Sequence, residues 1–210
     1  MLVRVDGLTK PPVTFGGSCD IMRTMRNMLV FLIMGVVATS AMAQRAVNLL
    51  QDPSFEEALY EPFSTNWSTW GGTSCEAVTP RSRSFVAKLF GMSRGEVNHS
   101  GVFQDVPAVE GKRYIASAWF RQNGGDTLQG DNEAWVKLEF WGESGMISKV
   151  QSPTRLRAKD AANKYVFIST GPVKAPAGTT RARFVATFKQ GADNARGAVL
   201  VDDAELREVP

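Results

Sequence analysis

Period-two alternation of apolar and polar residues, broken at short intervals by turn formers, constrains this chain more than any other feature. From residue 47 onward it recurs over residues 84–90, 102–106, 114–122, 134–141, 146–150, 165–170, 181–189 and 198–206. Successive side chains of a strand point to opposite faces, so such runs suit strands with one buried face. Gly71-Gly72, Gly111, Gly124-Gly125, Gly142 and Pro176-Ala177-Gly178 punctuate them, as turns require. No stretch sustains a 3.6 period, and residues 156–162 suit at most one short helical turn. Many short strands without βα alternation predict an all-β fold, an antiparallel β-sandwich or barrel. The polar loop 123–132 is expected at a rim.

Two phrases bracket this strand-rich region: Ala46-Val47-Asn48-Leu49-Leu50-Gln51-Asp52-Pro53-Ser54-Phe55-Glu56 and Ala198-Val199-Leu200-Val201-Asp202-Asp203-Ala204-Glu205-Leu206. Each drops a carboxylate into an apolar run, which is costly unless the charge is paired or holds a cation. Glu56 and Asp202 are therefore candidate ligands of a calcium ion, which prefers carboxylate and carbonyl oxygens, pinning the two ends together. Alternation puts Asp202 on a face with Ala204 and Leu206, hence inward, and Asp203 with Glu205, in solvent. A carboxylate capped by backbone amides or an arginine is the alternative for Asp202.

Residues 22–43 read as an export signal. Arg23 and Arg26 supply a positive start, 28–37 an apolar stretch, and Ala41-Met42-Ala43 a small-x-small cleavage site before Gln44. The apolar stretch is far short of the ~20 residues of a membrane-spanning helix. Residues 1–21 resemble no folding unit and read as a non-native upstream extension. A secreted or periplasmic location follows, with 44–210 as one domain. Four of the 24 basic and two of the 21 acidic residues lie before residue 44, so the remainder carries 20 against 19. Near-neutrality gives no footprint for nucleic acid, where a basic patch is expected. Cys75 alone remains after cleavage, so no internal disulfide can form.

The run Ala134-Trp135-Val136-Lys137-Leu138-Glu139-Phe140-Trp141 is the sharpest functional signal. One face carries Ala134, Val136, Leu138 and Phe140, the core side; the other carries Trp135, Lys137, Glu139 and Trp141. Indole faces stack on sugar C–H faces while charged groups bond hydroxyls, so two tryptophans around two charges form a platform. Trp119 and Arg121 repeat the pairing, and Gln104 is a weaker candidate. The alternative is that these tryptophans fill gaps under loops. Catalysis finds little support: His99 is the single histidine, and no Gly-x-Ser-x-Gly elbow is present. Glu139 and Glu143 would stand about 13 Å apart on extended chain, wider than glycosidase pairs use. No His/Cys cluster suggests zinc.

The order Asn48-Leu49-Leu50 to Phe55-Glu56, Trp67, Gly101-Val102-Phe103-Gln104-Asp105-Val106, Gly111-Lys112-Arg113-Tyr114, Ser117-Ala118-Trp119-Phe120-Arg121, Ala175-Pro176-Ala177-Gly178-Thr179 and Val201-Asp202-Asp203 resembles the carbohydrate-binding modules of cellulases and xylanases. These belong to the galactose-binding-like jelly-roll superfamily. The resemblance implies a two-sheet jelly roll, a structural calcium near the chain ends with Glu56 and Asp202 as ligands, and a glycan site on one sheet. It departs from the family at Arg81-Ser82-Arg83, which carries no carboxylate, at Asn98-His99, where an aromatic is usual, and near Tyr165, where a tryptophan is usual. The function implied is non-catalytic binding of polysaccharide or oligosaccharide chains. A structural or adhesive jelly roll without sugar binding is the second reading, because fold does not fix function.

Overall fold

The computed structural model describes residues 47–57, 63–193 and 197–210. The leader, its cleavage site and the upstream extension fall outside these residues. Twelve strands are present: β1 (Ser68–Trp70), β2 (Gly72–Glu76), β3 (Val86–Phe90), β4 (Asn98–Pro107), β5 (Arg113–Gln122) and β6 (Glu133–Gly142). They continue with β7 (Gly145–Gln151), β8 (Leu156–Arg157), β9 (Val166–Ser169), β10 (Val173–Lys174), β11 (Arg181–Gln190) and β12 (Ala198–Val209). All pairings are antiparallel. The first sheet runs β1-β4-β11-β6-β7, with β8 beside β6; the second runs β10-β5-β12-β3-β2, with β9 beside β5. This is the all-β jelly-roll sandwich predicted.

Alternation built the core. Ala134, Val136, Leu138 and Phe140 of β6 meet Ala182, Phe184, Ala186 and Phe188 of β11 and Val102 and Val106 of β4 on one inner face. Ala116, Ala118 and Phe120 of β5 with Val199, Val201, Ala204 and Leu206 of β12 form the other. An aromatic cluster closes one side: Phe55 lies 4.9 Å from Trp67, which meets Phe184 edge-on at 5.6 Å. All eight strands read from the sequence are present. The four not anticipated, β1, β2, β8 and β10, are five residues or fewer, too short to show a period. Residues 156–162 form β8 and turns, not a helical turn. Loop 123–132 is largely exposed, as expected of a rim, and is anchored at Asn123, Leu128 and Asn132, which are buried; the Leu128 N–H donates to Gln122 Oε1 at 2.9 Å.

The chain ends of the domain are joined directly. The Leu49 N–H donates to the Leu206 carbonyl at 2.7 Å and the Ala204 N–H to the Pro53 carbonyl at 2.9 Å. Asn48 bridges the same pair: its Nδ2 donates to the Ala204 carbonyl, and its Oδ1 accepts from Leu206 N–H and Leu50 N–H.

Candidate functional site

The outward face of the first sheet carries the side chains with binding chemistry. Register sets three rows across it. Trp135 lies beside Thr187 and then Gly101 and Trp70; Lys137 beside Val185, Phe103 and Ser68; Glu139 beside Arg183 and Asp105. Trp70 reclines over Gly101: a Cβ there would come within 2.1 Å of its ring. Val185 and Thr187, between these residues in the register, are buried although they point outward. Aromatic and aliphatic surfaces thus make a second apolar layer outside the main core.

Charges are locked onto this layer. Arg183 donates from Nε and an Nη to the two Asp105 oxygens at 2.6 and 2.9 Å, a bidentate geometry that fixes the guanidinium. That bond to Asp105 raises the Arg183 pKa. Its plane lies 4.1 Å from the centre of Phe103 and 4.7 Å from that of Trp141. Arg181 approaches Trp141 at 4.9 Å, and the Trp141 Nε1–H donates to Glu139 Oε2 at 3.2 Å. Trp70, Phe103 and Trp141 remain partly exposed.

Trp135 does not share that exposure. It is 5 % exposed, because the segment after β7 folds back and lays Arg155 over its ring at 4.2 Å. Arg155 is held by Glu133 and Gln151, and His99 meets the indole edge-on at 6.3 Å. Burial, then the Lys137 and Lys189 charges, lowers the His99 pKa. The predicted platform is thus covered at one end and open at Trp141.

The other sequence candidates lie elsewhere. Trp119 and Arg121 are on β5, whose outward face belongs to the second sheet, so they cannot stand beside Trp135 and Trp141. Trp119 meets Arg81 at 4.0 Å and Phe167 at 5.2 Å and lies half-buried at the wall of a hollow of about 690 Å³. Arg121 donates to the Ala162 carbonyl at 3.4 Å and holds the connection before β9. Gln104 points inward: it accepts from Gln51 N–H and donates to the Gln51 and Asn66 carbonyls. It is a tether for the first loop, not a sugar contact. Glu143 sits exposed in the turn after β6.

Asp202 is corrected in direction. A bulge between Asp202 and Glu205, with Asp203 at φ 46°, shifts the phase of β12, as an extra residue in one strand must. Val201 and Ala204 both face the core, so Asp202 faces outward, buried beneath Arg81-Ser82. Its carboxylate accepts from the Arg81, Ser82 and Asp203 N–H groups at 2.8, 3.0 and 2.7 Å. Burial nevertheless pushes its pKa up to about 6. Asp203 is half-buried, which raises its pKa, but hydrogen bonds from Ser82, Arg81 and Ser54 outweigh that and hold its carboxyl below the usual range. Glu56 accepts from the Ser84 and Phe85 N–H groups at 3.1 and 3.0 Å. Both predicted calcium ligands thus cap amides of the 81–85 segment. No group of three or more His, Cys, Asp or Glu side chains converges among the described residues. Cys75 donates to the Phe55 carbonyl, and burial with Asp52 and Glu56 pushes its pKa up to about 12, which disfavours the nucleophilic thiolate.

Sequence reasoning missed Trp70, Phe103, Asp105 and Arg183. Phe103 and Asp105 alternate with the apolar Val102 and Val106, so their outward direction was readable; their place beside β6 depends on strand order, which was not.

No family model and no curated protein matches the chain. Solved structures do. One is the CBM22-1 xylan-binding domain from Paenibacillus barcinonensis Xyn10C, with TM-score 0.54 and 17 % identity, covering 78 % of this chain and 96 % of that one. Another is TmCBM61 in complex with β-1,4-galactotriose, with TM-score 0.50 and 14 % identity over 78 % of this chain and all of that one. A third is the enzymatically active domain of bacteriophage CBA120 tailspike protein 4, with TM-score 0.53 and 12 % identity; there the match covers 78 % of this chain but only 22 % of the other. At these identities the likeness speaks for architecture: the described domain has the jelly-roll fold of carbohydrate-binding modules.

Proposed function

We propose that this chain is an exported, non-catalytic carbohydrate-binding module whose site is the outward face of the first sheet. The observation that carries the reading is the partly exposed aromatic set Trp70, Phe103 and Trp141, in which Arg183, fixed by Asp105, lies against Phe103 and Trp141, and Glu139 accepts from the Trp141 Nε1–H. Rings fixed in advance bind with little loss of freedom. They offer apolar faces to sugar rings while the neighbouring charges meet hydroxyls. Similarity to modules described as binding xylan and β-1,4-galactotriose supports a polysaccharide chain as ligand. The leader over residues 22–43 supports export to a secreted or periplasmic location.

The experiment is retention of the mature domain on insoluble and soluble polysaccharides, xylan and β-1,4-galactan among them, by pull-down and affinity electrophoresis. Wild type should be retained on at least one, and Trp141→Ala should weaken retention roughly tenfold or more, as loss of a stacking aromatic does, with the melting temperature kept. A second reading, an architectural jelly roll, draws on the covering of Trp135 by Arg155. It leads if no polysaccharide retains the protein.

A further inference from the structure

Hydrogen-bond donors outnumber acceptors at the centre of this face. Lys137 reaches across Val185 and Thr187 until its Nζ stands 5.9 Å from the Trp70 ring centre and 5.8 Å from that of Trp135. Arg155 pairs with Glu133, Arg183 with Asp105 and Lys189 with Asp131. Lys137 has no such ion pair among the described residues. Glu139, the next outward residue on β6, is engaged by the Trp141 Nε1–H. The Trp135 Nε1–H is buried without a partner. Half-burial lowers the Lys137 pKa; Glu139 opposes this, and Lys149 and Arg155 add to it.

An ammonium held between two indoles has lost part of its hydration and gained only the ring quadrupoles in return. A ligand anion restores more: a charge-assisted hydrogen bond is about twice as strong as a neutral one. The positive charge of Lys137 and of its neighbour Lys149 also favours an anion. A neutral sugar hydroxyl would bond the ammonium but leave its charge unbalanced.

Resting on the carbohydrate-binding reading, we propose that this face selects acidic glycans, taking a uronic-acid residue with its carboxylate on Lys137 and its ring against Trp70. The carboxylate replaces the water lost by the ammonium, and the flat indole over Gly101 supplies the stacking floor.

The test compares three galactose-series polymers in affinity electrophoresis: polygalacturonate, its fully methyl-esterified form, and neutral β-1,4-galactan. Wild type should hold polygalacturonate about tenfold more tightly than its ester, the size of one charge-assisted bond, and the difference should shrink at high salt. Lys137→Met should lose more affinity for the acid than for galactan, and Lys137→Arg should recover the preference. Equal retention of acid and ester by wild type overturns the proposal, and that arm needs no variant to fold. Equal retention of dextran sulfate and polygalacturonate also overturns it, since any polyanion would then suffice. Retention of galactan alone refutes acidic selection but leaves the carbohydrate-binding reading standing. Retention of none of the polymers, here or on the wider panel, removes the reading beneath it.

Discussion

Trp135 and Trp141 are the same residue type on the same face of the same strand, yet their surroundings give them different work. Trp135 sits under Arg155 and against His99, 5 % exposed; Trp141 stands between Arg181 and Arg183 with part of its ring open. Truncating a buried tryptophan costs about 3–5 kcal/mol through lost burial and the cavity left behind. Trp135→Ala should therefore lower stability to chemical denaturation by roughly 3 kcal/mol, while Trp141→Ala should change it by less than about 1 kcal/mol. Urea titrations of the two variants side by side check this, and equal losses would contradict the division. The direction of both side chains was legible from alternation. The cover over Trp135 was not, because it comes from Arg155 and from His99, remote from it along the chain. Gln104 teaches the same point: its polarity suggested a ligand contact, but three backbone partners inside the sandwich claim it.

At the level of elements, strands long enough to show alternation were legible, and strand order and phase breaks were not. Trp119 and Trp135 lie on strands consecutive in sequence, but the jelly-roll path sends β5 and β6 to different sheets. In β12 a bulge reverses the phase after Asp202; the pair Asp202-Asp203 between Val201 and Ala204 is its trace, but strict alternation carried through it reads Asp202 as inward. The reversal puts a buried carboxylate beneath Arg81-Ser82, with a pKa raised from 3.8 to about 6. A folded-state pKa above the unfolded one means that the folded protein binds the extra proton. The group's favourable contribution is then fully present below pH ~4 and lost as pH rises through about 6. The magnitude is about 3 kcal/mol, from 1.36 kcal/mol per unit. Asp203, held below the usual range, acts in the opposite sense, losing its contribution as pH falls through its own lowered pKa. Comparison with Asp202→Asn isolates the first effect. The stability of wild type relative to that variant should be greater at pH 4 than at pH 7 by denaturant unfolding, and an advantage that grows with pH would refute the assignment.

For the whole molecule, the question is what holds its first and last segments together. Sequence reasoning joined them through a calcium ion on Glu56 and Asp202. In the structure both carboxylates instead accept backbone N–H groups from the 81–85 segment. That segment is Arg81-Ser82-Arg83-Ser84-Phe85, with no carboxylate of its own to complete a cation shell. The junction itself is made of hydrogen bonds: Leu49 to Leu206, Ala204 to Pro53, and the Asn48 side chain to Ala204 and Leu206 of β12 and to Leu50. Asn48 donates once and accepts twice, so no single apolar replacement can satisfy the groups that it leaves behind. Unpaired, part-buried amides and carbonyls cost about 1–3 kcal/mol in total. Because the same residue joins first and last segments, the loss acts on the closure of the entire sandwich and not on one loop. Asn48→Ala should accordingly lower the melting temperature by several degrees in a single cooperative transition. Chelation with EDTA should leave the wild-type melting temperature where it was. A fall on chelation that calcium restores would bring the cation back as the joining element, since an ion bound only to the folded state stabilises it by mass action. An unchanged melting temperature in Asn48→Ala would show that the hydrogen-bonded junction carries none of the load assigned to it.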